Sequence, residues 1–460
     1  MTNVWLDEAM EANADPDAPP LDGSTTADVC IVGGGYTGLW TALELKARDP
    51  GLDVVVLEKD VCGAGGSGAN AGFALSAWLQ FPLLQRLYGT GEALRLCRAA
   101  DDDLSHIGAF AGDNGIDAQF HRNGAIWGAT CKAQSGHWDG MLEELARHQV
   151  RHFKRLTQDE IAAMTGTRAY VAGALDRSAA MLHPGHLVRG LRRVALERGI
   201  RIHEGTPMTR LGRTRPPTVT TPAGIVKAGK VILAIYAWSL GVRELRPGIM
   251  VICTDAAMTA PIPDRLEEIG WTSGTGLTDS RIFVEAQRTT RSGRVMWSKA
   301  GGAMPFGARV DGRLARTSRP EGAMRDLLRV PFPDLADAPI AGMWPGPIDR
   351  SGNGLPMFGA LPTCPDILYG YGYSGAGIVL SRLGSHILAS LALEADDAWS
   401  RGGLVRPIDR RYPPEPIRFV GAHMVHRAIQ RKDRLDHEGR EIGPVTRALL
   451  KFKPQSYKPT

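Results

Sequence analysis

Asp28-Val29-Cys30-Ile31-Val32-Gly33-Gly34-Gly35-Tyr36-Thr37-Gly38 carries an apolar strand straight into a glycine-spaced turn that opens a helix. Gly33 is expected to let the chain turn sharply, Gly35 to let the backbone approach a pyrophosphate, and Gly38 to let the helix pack closely on the strand. The unpaired N–H groups of the first helical turn then meet the phosphates. Taken alone the motif also fits a ligand-free glycine turn, so the flanks decide. Leu39, Ala42, Leu43 and Leu45 recur at helical spacing, with Glu44, Lys46 and Arg48 expected on the wet face and Asp49-Pro50-Gly51 as the stop. A second strand, Val54-Val55-Val56-Leu57, ends in Glu58, about twenty residues past the last glycine, where a carboxylate can accept ribose hydroxyls. That acid argues against NADP, whose 2′-phosphate it would repel.

At 460 residues the chain exceeds one comfortable core, which predicts two lobes sharing a ligand cleft. The formal charge of +5 is spread along the chain without a basic stripe interleaved with aromatics, which argues against nucleic acid. A modestly basic surface suits anionic substrates. Cys30, Cys62, Cys97, Cys131, Cys253 and Cys364 are scattered, so neither a metal site nor a disulfide framework is expected. The acidic, proline-bearing start lacks an apolar signal core, and no run of about 18 apolar residues occurs, so the expected location is cytoplasmic without a transmembrane segment.

A second glycine-rich stretch, Cys62-Gly63-Ala64-Gly65-Gly66-Ser67-Gly68-Ala69-Asn70-Ala71-Gly72, follows Glu58. A simple nicotinamide fold has no use for it, whereas FAD is longer and needs small residues beside its ribityl chain and flavin ring. A flexible loop of small residues is the plainer alternative. Lys230-Val231-Ile232-Leu233-Ala234-Ile235-Tyr236-Ala237-Trp238 reads as a buried strand followed by small and aromatic residues, and Gly205-Thr206-Pro207-Met208 before it as a segment passing the adenine. Leu368-Tyr369-Gly370-Tyr371-Gly372-Tyr373-Ser374-Gly375-Ala376-Gly377 reads as a glycine loop opening an amphipathic helix, whose positive end suits negative charge on a reduced flavin.

With these blocks in order, residues 25 to 395 resemble the D-amino-acid oxidase superfamily, especially its glycine, sarcosine and gamma-glutamylputrescine oxidase branches. Matching pieces include Cys30 to Gly38, Gly65 to Gly72, His183-Pro184, Val231 to Trp238, and Leu355-Pro356-Met357-Phe358-Gly359. Val4-Trp5-Leu6-Asp7-Glu8-Ala9, Ala18-Pro19-Pro20-Leu21 and Tyr412-Pro413-Pro414-Glu415-Pro416-Ile417-Arg418 are similar to a subgroup of aminophosphonate oxidoreductases. The resemblance implies an α/β fold: a Rossmann-like FAD-binding domain (28–81, 166–240 and 341–395) with a discontinuous antiparallel-sheet substrate domain of α+β character (82–165 and 241–340). An N-terminal arm (1–27) and a basic, helical C-terminal extension (396–460) flank them. Intermixed Asp433, Asp436, Glu438 and Glu441 make a solvated helix pair the first reading of that extension, with membrane or partner docking as the other.

FAD is expected against Gly33, Gly35, Tyr36, Thr37, Gly38, Glu58 and Lys59, then Gly66, Ser67, Asn70, Ala71 and Gly72. Met208, Ala234, Trp238 and Gly346 follow, with Gly375, Ala376, Gly377 and Ile378 at the flavin end. Three departures from the family stand out. Ala376 replaces the histidine that several relatives carry between two glycines, so a donor or cation is missing there. Cys364 does not match the cysteine that attaches flavin in sarcosine oxidases, so FAD is expected to be noncovalent. Met343-Trp344-Pro345-Gly346-Pro347 lacks the substrate-binding arginine of glycine oxidase.

The implied chemistry is hydride transfer from the α-carbon of a small primary or secondary amine to flavin N5, imine hydrolysis, and reoxidation by O2 to H2O2. A dehydrogenase of the same fold passing electrons to a quinone or protein, a flavoprotein monooxygenase, and a flavoprotein without turnover stay open. Ligand-facing strands are expected at Arg281–Arg288 and Arg294–Lys299, joined at Arg291-Ser292-Gly293. Lys299 and Arg288 are candidates near the flavin or an anionic substrate end, Lys299 by likeness to an oxygen-activating lysine, each with a solvent-exposed strand position as the plain alternative. His183 is a cleft candidate or a satisfied structural histidine, and Trp344 and Tyr373 are candidate amine walls or core residues.

Overall fold

The computed structural model describes residues 3–12, 16–307, 309–311, 318–408 and 412–453. Residues 1–2, 13–15, 409–411 and 454–460 of the expected arm and extension, and 308 and 312–317 of the expected second lobe, lie outside the described residues. The opening stretch forms the strand Thr25–Val32 and the helix Tyr36–Arg48. The strand lies between Val54–Leu57 and Ile225–Leu233, both parallel to it, with Cys30 opposite Val55 on one side and Val231 on the other. Burial on both faces explains why Val29 to Val32 and Val54 to Leu57 are continuous apolar runs without alternation. Among the described residues eight strands make this sheet, with Cys364–Tyr371 and Met357–Leu361 beyond Ile225–Leu233 and Arg201–His203 at the other edge.

Three helices cover one face. Tyr36–Arg48 packs against Gly377–Ala392 and Pro184–Glu197. That packing corrects one expectation: Glu44 turns inward, where it pairs with Arg382 at 2.7 Å and Arg48 at 2.8 Å. Helical spacing alone puts it on the wet face, because the cation that buries it lies 338 residues away. The segment read as a loop from Leu368 is strand up to Tyr371, and only then turns. Gly370 sits inside that strand because Phe358 lies within 2.9 Å of where its Cβ would be.

A second eight-stranded sheet runs in the order Ile340–Ser351, Ile249–Thr259, Val295–Lys299, Glu285–Thr289, Gly276–Asp279, Ala125–Ala129, Ala172–Asp176, Phe153–Thr157. All its pairings are antiparallel except Gly276–Asp279 with Ala125–Ala129. Two expected boundaries therefore differ from sheet membership. Ala172–Asp176 and Ile340–Ser351 belong to the second sheet, although the expected first domain includes 166–240 and 341–395. Of the two strands expected near the ligand, the first begins only at Glu285; residues 281–284 are not strand.

The N-terminal segment is a helix, Val4–Ala12, packed on Pro184–Glu197 with Trp5 1 % exposed. Beyond Ala392 lie the helices Ile417–His437 and Pro444–Leu450, the first seated on the back of the second sheet. Among the described residues no helix is long and apolar enough to cross a membrane.

Candidate functional site

One cavity of about 680 Å³ runs from the glycine turn of the first sheet to the inner face of the second. Its volume falls in the range of small-molecule and cofactor sites. At its first end, Gly33 holds φ at +113° and a Cβ there would stand 2.4 Å from the Ala234 carbonyl oxygen. A Cβ at Gly38 would stand 1.9 Å from the Gly33 oxygen, so that glycine serves strand–helix contact; it does not itself line the cavity. Gly35 precedes the helix and faces the space. Ser67 comes from the second glycine stretch to accept the Tyr36 N–H at 2.8 Å, and both residues line the cavity with Thr37.

Glu58 is held at the end of its strand by two backbone donors, Gly34 N to Oε2 at 2.8 Å and Asp60 N to Oε1 at 3.0 Å. Burial raises its pKa, so a hydroxyl donor from a ligand would stabilise the carboxylate. Lys59 sits 4.8 Å above the Trp238 ring, and this pair lines the same end as Met208 and Ala234. Arg210, Arg213 and Arg243 also line the cavity, and none was singled out from the sequence because surface arginines carry no spacing signal.

Gly66, Asn70 and Ala71 line the middle, yet Asn70 spends its amide on the turn. Its Nδ2 donates to the Ser67 oxygen at 2.7 Å and its Oδ1 accepts Gly72 N at 2.8 Å. Gly72 lies outside the cavity wall, its carbonyl taken by Arg288.

At the other end, the loop from Gly372 to Ala376 is held by Asp349. Its Oδ2 accepts Gly372 N at 2.5 Å and its backbone oxygen accepts Ser374 N at 2.9 Å. Burial pushes the Asp349 carboxyl well above its usual range. Ser374, Gly375, Gly377 and Ile378 line the cavity, and Ala376 does not. Tyr373 lines it, with its hydroxyl accepting from Thr37 Oγ1 at 2.8 Å, which ties this loop to the first helix. Gly346 and Arg350, on the strand Ile340–Ser351, complete this end; Arg350 is bridged through its backbone to Tyr373.

The second sheet presents Thr254, Ala256, Thr278, Ala286, Met296 and Ser298 to the cavity. These are alternate residues of their strands, as pleating requires. Thr254 Oγ1 is buried with no hydrogen-bond partner among the described residues, and Thr278 Oγ1 donates to the Ile126 oxygen at 2.9 Å.

The three catalytic candidates stand elsewhere. Lys299 follows Ser298 by one residue and so points to the opposite face, where Nζ donates to the Phe283 oxygen at 2.8 Å and pairs with Glu285 at 3.2 Å. Burial, with the nearby Arg281 cation, holds its pKa below the usual lysine value. Lys299→Met is therefore expected to change flavin reoxidation no more than it changes flavin reduction, measured by stopped-flow, while lowering the melting temperature. Arg288 is 3 % exposed and donates Nη1 to the Leu182 oxygen at 2.6 Å and the Gly72 oxygen at 3.1 Å, bracing the glycine stretch from behind.

His183 caps the helix Pro184–Glu197, with Nδ1 accepting His186 N at 3.1 Å. That leaves Nε2–H to donate to Glu8 at 3.1 Å, with Trp5 edge-on at 4.6 Å. Burial lowers its pKa to about 4. The unfolded chain takes up this proton near 6.5 and the folded chain only near 4, so stability falls with pH between those values, by about 3 kcal/mol at most. His183→Gln keeps an acceptor for the cap and is expected to flatten the melting temperature against pH in that window by one proton's worth of slope.

Trp344 also lies outside the cavity. It is 4 % exposed and donates Nε1 to the Ala69 oxygen at 2.9 Å, anchoring the turn Gly66–Ala69. Among the described residues no cluster of three metal-ligating side chains occurs.

A family model described as DAO, FAD dependent oxidoreductase, matches residues 28–391. The chain is 30 % identical over 386 residues to the gamma-glutamylputrescine oxidoreductase of Escherichia coli (strain K12), covering 83 % of this chain and 87 % of that one. It is 26 % identical over 359 residues to the sarcosine oxidase subunit beta of Rhizobium meliloti (strain 1021), covering 76 % and 80 %. The crystal structure of glycine oxidase from Geobacillus kaustophilus superposes with a TM-score of 0.67 at 21 % identity, over 84 % of this chain and all of that one, which shows the shared fold.

Proposed function

Starting from a chain that belongs to the FAD-dependent oxidoreductase family, we propose that it oxidises a small primary or secondary amine at the carbon bearing nitrogen. The observation that carries this reading is the continuity of one cavity from the phosphate-type turn to an uncharged, hydroxyl-bearing wall on the second sheet. Gly33, Gly35, Ser67 and Glu58 would hold the ADP half of FAD, and the Gly372–Gly377 loop its flavin end. FAD bound there supplies the electron sink, accepting a hydride equivalent from the substrate.

The chain's own residues supply environment and orientation. Ala256, Ala286 and Met296 make a wall of low polarity, which lowers the pKa of an amine beside it and favours the neutral form that can lose hydride. Ser298, which lines the same wall, offers a hydroxyl that would set the amine's direction. Arg350 supplies positive charge beside the Gly372–Ala376 loop, the place where Ala376 leaves a cation missing. The imine product hydrolyses in water. Relatives named for gamma-glutamylputrescine and sarcosine put polyamine derivatives and amino acids among the compounds to try, and the likeness of the flanking segments adds aminophosphonates.

Oxygen is the proposed acceptor. Peroxide released in step with amine consumed supports the oxidase; flavin reduction by amine without peroxide, and turnover only with a quinone or protein acceptor, replaces it with a dehydrogenase. A requirement for NADPH would replace both with a monooxygenase.

A further inference from the structure

The helix Ile417–His437 lies beyond the residues matched by the family model, yet it reaches the substrate side of the cavity from behind. Val284 and Ala300 line that side and are joined by a hydrogen bond from Ala300 N to the Val284 oxygen at 3.0 Å. Neither lies within a regular strand, so the sheet ladder alone does not hold them. On their far side, Ile429 is fully buried against Ile282, Phe283 and Ala300. His426 donates Nε2–H to the Gly301 oxygen at 2.8 Å and its ring lies 4.7 Å from that of Phe283. Gly301 holds φ at +76° and approaches Phe283 so closely that a Cβ would stand 2.5 Å from its ring, so the two segments are packed directly on one another. One helical turn further, Asp433 faces the Lys299 and Arg281 cations, and His437 meets Thr130 at 3.1 Å.

We propose that this helix sets the width of the substrate side of the cavity, with Ile429 and His426 as positioning residues that pin segments 281–284 and 299–302. The inference rests on the reading that this wall faces the amine. Arg319 also donates to the Ala300 and Gly301 oxygens at 3.2 and 3.0 Å, and Gly302 N donates to the Cys253 oxygen at 2.8 Å, so the helix is one of several supports. A wall segment loses order when one support is trimmed, and the loss appears in substrate binding before it appears at the cofactor.

The test uses full-length, FAD-loaded Ile429→Ala and His426→Ala, the latter being the milder change should the former fail to fold. Hydrogen exchange is expected to rise roughly tenfold in peptides spanning 281–302 and to stay unchanged in those spanning 25–48. With whichever of glycine, sarcosine, gamma-glutamylputrescine and 2-aminoethylphosphonate bleaches the wild-type flavin fastest, KM is expected to rise roughly fivefold with kcat nearly constant. Ile429→Val should restore both. Unchanged exchange in 281–302 overturns the proposal, and so does an unmoved KM when exchange has risen. If none of these amines bleaches the wild-type flavin, the functional reading fails and the proposal with it; raised exchange then shows only that the helix pins a wall, so the two failures are told apart.

Discussion

A Gly35→Asp chain is expected to fold and to purify without the yellow of bound flavin. Gly35 adopts φ −91° and ψ −173°, an extended conformation open to any residue, so the substitution adds no backbone strain. Aspartate is also a favoured residue immediately before a helix, which supports folding. Its Cβ, however, would stand 2.8 Å from Ser67 Oγ, and its carboxylate would occupy the space and reverse the charge that a pyrophosphate needs. A loss of FAD affinity of roughly a hundredfold or more is expected, from titration of apoprotein by flavin fluorescence. Stoichiometric FAD in the purified variant would contradict the placement. Gly38→Ala behaves differently on this account: its Cβ meets backbone at 1.9 Å, so loss of soluble protein, and with it of colour, is the expected outcome.

The second large effect is expected at Arg350. Arg350→Met removes a positive charge that lines the cavity beside Ser374 and Gly375, and the loss is felt strongly where little water screens it. FAD should remain bound, while the flavin's affinity for sulfite falls roughly tenfold or more and its midpoint potential drops. Arg350→Lys should recover most of both. An unchanged potential in Arg350→Met, with the protein folded, would remove the electrostatic role and leave Arg350 as packing.

The residues that could be read from sequence are those whose roles are local. Gly33, Gly35, Glu58 and the helix from Gly377 follow from spacing within one strand–turn–helix unit, and the structure gathers all of them around one cavity except the helix's far end. Lys299 shows what spacing cannot supply. Strand Val295–Lys299 was legible, but which of Ser298 and Lys299 faces the ligand depends on pairing with Ile249–Thr259, set by residues some forty positions earlier. In sequence His183 fits both a structural and a cleft role, because its deciding partner, Glu8, lies 175 residues away in a segment with the character of an arm. Trp344 read as an aromatic wall, and its indole instead serves Ala69. Arg350 stands at the same strand parity as Gly346 and would have been found by extending that alternation four residues, had the strand's length been evident through Pro345 and Pro347.

The central claim is that an amine delivers electrons to FAD in this cavity. Anaerobic mixing of the purified yellow protein with the amines named above, followed in the flavin's visible absorbance, tests it directly. Bleaching by at least one primary or secondary amine, at a rate that saturates with amine concentration, is the result expected. Retention of the oxidised spectrum with every amine, in protein whose flavin dithionite readily reduces, would contradict it.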